Sequence, residues 1–452
     1  MGKEKTPIST YRLGPVLITA LLIGGTLLVT LPQVPQTNAA IDWSHLYGSN
    51  LVTSLTRVND EDPGGPGPAQ GNTDQAFFMT TFSQMKSLGF NFVRVPVSWT
   101  RYANGPSNFT SELDNIVVAA DANGISVVID FHQIQGWDAW PQDMLTYYNA
   151  VGGAEPGYDN MLTAWFKNNA TYSWQDMVDQ FWKPIIQAVD SHPSVIGYEI
   201  MNEPYFPDGI TVAQMQAHNQ FFANALRNLT SKAIVYMAAA NSLEQQGSTI
   251  VSTAPTGISN LVLDVHRYGT SDPSSDFSTW KSEASSIGAA VFVGEWGPDC
   301  SGSVSQSVEQ NTITLYYDAF KQYGLGNAYW SWSSGTGVCN LLDNNNNPSW
   351  VSVMLSNAIA SSWKTSASTT SYTAPQSSSS MSTTAISTSV IITHNSTRFL
   401  SLELLAILGA AGIFVVLIFM RTVPRRGKSV TRVVNTKETY FGDECSKIQQ
   451  ER

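Results

Sequence analysis

Cysteine, basic residues and metal-binding patterns are all scarce in this chain. Only Cys300, Cys339 and Cys445 occur in 452 residues, and neither an H-E-x-x-H run nor a clustered Cys/His spacing is present. A zinc or other metal centre is therefore not expected, and nothing in the sequence calls for a cofactor. No Gly-rich phosphate loop follows the first apolar run, which counts against a dinucleotide-binding open sheet. Lys and Arg number 24 against 35 Asp and Glu, and between residues 41 and 363 the balance is 11 against 29, a formal charge of −18. Such a surface repels nucleic acid and anionic lipid, so neither is an expected partner. It suits an acidic exterior, where many carboxylates hold protons. What the chain has in quantity is core material, 42% hydrophobic and 11% aromatic residues.

The two ends carry the long apolar runs. Lys3, Lys5 and Arg12 precede "LGPVLITALLIGGTLLVTL" (13–31), with small residues at Ala39 and Ala40, which reads as a secretory signal or an uncleaved anchor over 1–40. "FLSLELLAILGAAGIFVVLIFM" (399–420) has the length of a membrane-spanning helix. Arg421, Arg425, Arg426 and Lys428 follow it, so 421–452 is expected to be a cytoplasmic tail and the preceding domain to be held outside, at the cell surface. Residues 364–398, rich in Ser and Thr, read as an extended stalk. Four N-x-S/T sequons, at Asn108, Asn169, Asn228 and Asn395, are compatible with export. With Cys445 in the reducing tail, Cys300 and Cys339 remain as the pair able to form a disulfide.

From 41 to 363 short apolar runs alternate with longer amphipathic segments. The runs are "HLYGSNL" (45–51), "FNFVRVPVSW" (90–99), "GISVVIDFH" (124–132), "VIGYEIMNEP" (195–204), "AIVYMAAA" (233–240), "LVLDVHRYG" (261–269), "AAVFVGEWG" (289–297) and "NAYWSWS" (327–333). Between them, stretches such as "QAFFMTTFSQMKSLG" and "WQDMVDQFWKPIIQAVDS" place apolar residues at helical spacing. Eight strand–helix units over this length predict an α/β fold, the (β/α)₈ barrel. The largest insertion follows the third strand, "QIQGWDAWPQDMLTYYNAVGGAEPGYDNMLTAWF".

Polar residues collect at the C-terminal ends of these runs: Arg94, His132, Asn202 with Glu203, His266 with Tyr268, and Glu295, while Trp330 lies in the last. The strand ends of a parallel barrel share one face, where active sites sit. Facing carboxylates on the fourth and seventh strands are the minimal equipment for cleaving a glycosidic bond, one as an acid and the other as an anion. Arg94 and Tyr268 are expected to hold Glu295 ionised, Asn202 to bond a sugar hydroxyl, and Trp330 to offer a flat face to a sugar ring. Asp130 and Asp264, each two residues before a His, are expected to support the site. Trp137, Trp140, Trp165, Tyr205 and Trp296 are candidate sugar platforms. Each of these residues has a plainer alternative: Glu203 or Glu295 as a structural partner of Arg94, the two histidines as satisfied core groups, the aromatics as packing.

"IGYEIMNEPY" resembles the signature of glycoside hydrolase family 5, the cellulase family of retaining (β/α)₈ enzymes. Arg94 in "VRVPVSW", His132 in "VVIDFH", His266 and Tyr268 in "LDVHRYG", Glu295 in "FVGEWG" and Trp330 in "YWSW" match its recurrent positions in order. The resemblance covers residues 41–363 and implies Glu203 as acid/base and Glu295 as nucleophile. It implies a β-linked polysaccharide or glycoconjugate as substrate, with β-1,4-glucan first and mannan or a glycosphingolipid next. The chain departs from the family in two places. "YGSNLVTS" lacks the usual Gly-Gly-Trp, and "DFHQIQGWDAWP" is more similar to the endoglycoceramidase branch. A surface transglycosylase and a non-catalytic sugar-binding protein are the alternatives that the same residues leave open.

Overall fold

The computed structural model describes residues 41–56, 73–133, 139–150, 156–204, 207, 209–238, 250–298, 305–334 and 339–363. All of them belong to one compact unit. The expected signal, stalk, membrane helix and tail lie outside the described residues. Among the described residues no helix is long and apolar enough to cross a membrane. The three sequon asparagines that are described, Asn108, Asn169 and Asn228, are all exposed.

Eight strands close a barrel in sequence order: β1 Tyr47–Asn50, β2 Phe92–Val97, β3 Ser126–Phe131, β4 Val195–Glu199, β5 Ala233–Met237, β6 Leu261–Tyr268, β7 Ala290–Gly297 and β8 Gly326–Tyr329. Every pairing, including β8 with β1, is parallel. Each strand lies within one of the eight apolar runs or overlaps it closely, so the barrel expected from the alternation is the one found. Helices follow the strands, among them Gln75–Ser87, Pro106–Asn123, Val212–Arg227, Ser274–Ser286, Gln306–Tyr323 and Trp350–Trp363. Gly324, at φ 59, ends the Gln306–Tyr323 helix in the left-handed conformation that a side chain would disfavour. The segment read as one helix from Trp174 is broken in three: α-helix to Met177, a π-helical stretch Val178–Trp182, and α-helix Lys183–Val189. Pro184 lacks the N–H that would bond back to Gln180, and the ladder shifts just before it. The insertion after β3 contains helices Gln142–Tyr147 and Gly157–Phe166.

Inward-facing residues explain where the site lies. Side chains alternate across a strand, so every second residue faces the barrel axis. At one level these are apolar and form a small inner core of Phe92, Val128, Val262, Phe292 and Ala328 with their neighbours. Two residues further along the same strands they become Arg94, Asp130 and Asp264, and after another two His132 and His266. The much larger apolar cluster lies between the strands and the helices. A dry plug therefore underlies a charged layer, and the charge faces only the C-terminal end.

Candidate active site

Arg94 is the hub of that layer. It is fully buried, so its guanidinium needs partners on every side. Its Nε and Nη2 donate to the two Glu199 oxygens at 2.7 and 2.8 Å. Nη1 donates to Asn50 Oδ1 at 3.0 Å and to Glu295 Oε1 at 2.8 Å. Nη2 also donates to Asn202 Oδ1 at 2.8 Å and lies 3.0 Å from Asp130 Oδ2. Asp264 Oδ2 is 3.4 Å from Nε.

Glu203 and Glu295 face each other above this hub. Tyr268 donates its hydroxyl proton to Glu295 Oε2 at 2.9 Å. His266 Nδ1 sits 2.8 Å from Glu203 Oε1 and 3.5 Å from Glu295 Oε2. The ligand-capable atoms of Glu203, His266 and Glu295 all lie within 4.8 Å of one another. These three are the described residues whose spacing could hold a cation, and each already has a hydrogen-bonding partner in the cluster. Glu203 is the most open member, its side chain 27% exposed against 6% for Glu295. Its backbone sits at φ +32, a left-handed conformation that L residues adopt at a cost and that concentrates at functional sites.

Protonation follows from these contacts. Burial pushes Glu295 up, and the charges of His266 and Arg94 only partly offset it, leaving it above the usual carboxylate range. Burial also raises Glu203, but the hydrogen bond and charge of His266 outweigh that and leave it lowered. Burial opposes the charge of His266, yet Glu295, Asp264 and Glu203 around it hold its affinity for a proton well above the ordinary imidazole value. Burial drops His132 to about 4, so it is neutral. Its Nδ1 contacts Asp130 Oδ2 at 2.6 Å and its ring stacks on Trp330 at 5.5 Å.

The structure thus brings Arg94, His132, Asn202, Glu203, His266, Tyr268, Glu295 and Trp330 to one end of the barrel, with Asp130 and Asp264 beneath. Asn202 has less freedom than expected. Its Oδ1 accepts from Arg94 and its Nδ2 donates to the Gln133 carbonyl at 3.1 Å, which leaves one amide hydrogen for a ligand.

Three of the candidate platforms are core residues instead. Trp140 is completely buried, edge-on to Phe131 and Trp165, and its indole N–H donates to Tyr158 Oη at 3.3 Å. That hydroxyl donates to Gln133 Oε1, and Gln133 Nε2 in turn donates to the carbonyls of Asn202 and Glu203. Trp140 therefore props the segment that carries Glu203, from behind. Trp165 is buried among Trp99, Trp140 and Phe222. Trp296 is fully buried against Tyr316 and Tyr329, with its Nε1 donating to Asn327. Trp137, Tyr205 and Cys300 lie outside the described residues. Cys339 is disulfide-bonded.

Sequence reasoning missed Glu199, Asn50, Gln133 and Tyr158. The first had a signal: a carboxylate four residues before Glu203, inside an otherwise apolar strand.

Comparison with known proteins adds the family. The model of the cellulase family, glycosyl hydrolase family 5, matches residues 71–336. Glucan 1,3-beta-glucosidase 2 of Candida albicans is 25% identical over 258 residues, 48% of this chain and 50% of that protein. Endoglucanase B of Paenibacillus lautus is 22% identical over 313 residues, 61% of this chain and 50% of that one. The chain spans about half the length of these curated relatives. In fold it is similar to endo-glycoceramidase II from Rhodococcus sp., solved as its lactosyl-enzyme intermediate, with a TM-score of 0.54, 17% identity, and coverage of 69% of this chain and 78% of that one. Since the family match takes in more than half of the chain and contains both facing carboxylates, the chain belongs to glycosyl hydrolase family 5.

Proposed function

We propose that this chain is a retaining β-glycosidase, with Glu295 as nucleophile and Glu203 as acid/base. The observation that carries the reading is the separation of the two carboxylates, whose nearest oxygens lie within 4.8 Å. Double displacement uses carboxyl groups about 5–5.5 Å apart, whereas inversion needs roughly 6.5–9.5 Å to admit a water. Glu295 attacks the anomeric carbon as Glu203 protonates the departing oxygen, and the glycosidic C–O bond breaks to leave a glycosyl ester. Glu203 then takes a proton from water, whose oxygen bonds to the anomeric carbon and frees Glu295.

Burial leaves Glu295 raised while the hydrogen bond and charge of His266 leave Glu203 lowered, so Glu203 needs a proton source before it can act as the acid. His266 can supply that proton. Its Nδ1 lies 2.8 Å from Glu203 Oε1 and passes a proton to it when substrate needs an acid, so the imidazole and Glu203 form one proton-holding pair. The alkaline limb of kcat/KM then belongs to the raised His266 rather than to a carboxylate. Replacing His266 by Gln leaves Glu203 as sole holder, and the alkaline limb is expected to move toward acid by about one pH unit or more. An unmoved limb would reject the pairing.

The substrate we propose is a neutral β-linked glucan. The matched relatives named as glucan-active support it, and a net charge of −18 over 41–363 disfavours acidic polysaccharides. We further propose that the enzyme is anchored at the cell surface by residues 399–420. The apolar length of that segment and the Arg residues after it support this. Incubating the chain with β-1,4-glucan, β-1,3-glucan, mannan and a glycosphingolipid tests the substrate. New reducing ends from a glucan alone are expected, and release from the lipid or mannan alone would overturn the choice.

A further inference from the structure

The nucleophile reaches the barrel interior through an irregularity in its own strand. Along β7, simple alternation from the inward Phe292 would turn Gly294 and then Trp296 inward and leave Glu295 facing the helices. The opposite is observed: Glu295 meets Arg94 inside, and Trp296 packs outside on Tyr316. The register explains it. Val265 pairs with Val293, but the next β6 residue, His266, pairs with Glu295, so Gly294 is the extra residue of a bulge. The pairing with β8 shifts in the same place, between Val293 and Trp296. One inserted residue exchanges the two faces of everything after it.

Gly294 is left without ladder partners for its buried peptide groups, and two side chains take their place. Its N–H donates to Asp264 Oδ1 at 2.6 Å, and its carbonyl accepts from Asn50 Nδ2 at 2.8 Å. Both side chains also reach Arg94, which holds Glu295. The fit is close enough that a Cβ on Gly294 would lie 2.0 Å from Asp264 Oδ2 and 2.3 Å from Oδ1. A glycine is required here because the aspartate occupies that space.

We propose that Asp264 and Asn50 are positioning residues that lock the Gly294 bulge and thereby turn Glu295 into the barrel. This rests on the reading of Glu295 as nucleophile, so the test has a structural arm independent of activity. In a crystal structure of the full chain carrying Asp264→Ala, the bulge is expected to relax and Glu295 to lose its hydrogen bonds to Arg94 and Tyr268. If both bonds persist, the proposal is overturned, whether or not the parent cleaves a glycoside.

The kinetic arm separates positioning from general weakening. Asp264→Ala is expected to lower kcat about 100-fold, the usual cost of a reacting group displaced by ~1 Å, with KM within about threefold. Asp264→Asn keeps an oxygen that can accept from Gly294 and is expected to recover at least about tenfold of that loss. Equal kcat in the Ala variant and the parent, or no recovery with Asn, would overturn it. Should Asp264→Ala fail to fold, Asn50→Ser carries both arms, with the same displacement of Glu295 expected and an unmoved Glu295 decisive against the proposal.

Discussion

Glu295→Gln is expected to lower turnover of a β-glucan by about 10⁴-fold or more, on every substrate whatever its leaving group. The amide keeps the size and most contacts of the carboxylate, since its oxygen can accept from Arg94 Nη1, which lies 2.8 Å from Glu295 Oε1. Only the attacking anion is lost. Without it no glycosyl ester forms, and binding and oxocarbenium stabilisation by the remaining groups supply a small residue of rate. The surrounding fold is expected to survive, because Arg94 remains bonded to both oxygens of Glu199. The check is kcat on paired substrates with good and poor leaving groups, alongside thermal unfolding. Near-parental turnover in a folded Glu295→Gln enzyme would remove the nucleophile from the account.

Glu203→Gln is expected to behave differently, and the contrast matters more than either number. A positioned general acid contributes roughly 10²–10⁴-fold, so hydrolysis of a glucan falls by that order. With an activated aryl leaving group, departure needs no proton, and the first step proceeds. The second step still lacks its base, so the glycosyl ester at Glu295 accumulates and is visible as a mass increase of one sugar unit on the intact chain. Loss of activity that ignores the leaving group would assign Glu203 a structural task, such as partnering His266 at 2.8 Å.

Much of this was readable from the sequence because strand ends obey a simple geometry. Arg94, His132, His266 and Tyr268 stand at intervals of two within runs that begin apolar, and period-two alternation puts them on one face. The Asn202-Glu203 pair lies just beyond the end of β4 at Glu199, with the Asn202 N–H still donating to the Phe131 carbonyl of β3 at 2.9 Å. Alternation alone could not tell which of the neighbours Glu295 and Trp296 turns inward, since nothing local in "VFVGEW" announces a bulge. The bulge depends on Asp264 and Asn50, 30 and 244 residues away in sequence.

Trp140 was misjudged for a related reason. An aromatic in an insertion beside a site suits a sugar platform as well as a core, and only the packing of Tyr158 and Gln133 behind Glu203 decides between them. Glu199 shows the limit from the other side. A carboxylate inside an apolar strand is costly unless paired, so its presence implied a buried cation. Which cation, Arg94 on a strand 105 residues earlier, required the closed barrel.

The central claim is that two carboxylates whose nearest oxygens lie within 4.8 Å act by double displacement at one sugar. Its most direct test is the anomeric configuration of the first product, followed by proton NMR during hydrolysis of a β-glucan, before mutarotation scrambles it. Retention, with the β-anomer appearing first, is the result this geometry predicts. Initial release of the α-anomer would mean that a water attacks directly and would contradict the assignment of Glu295 as nucleophile.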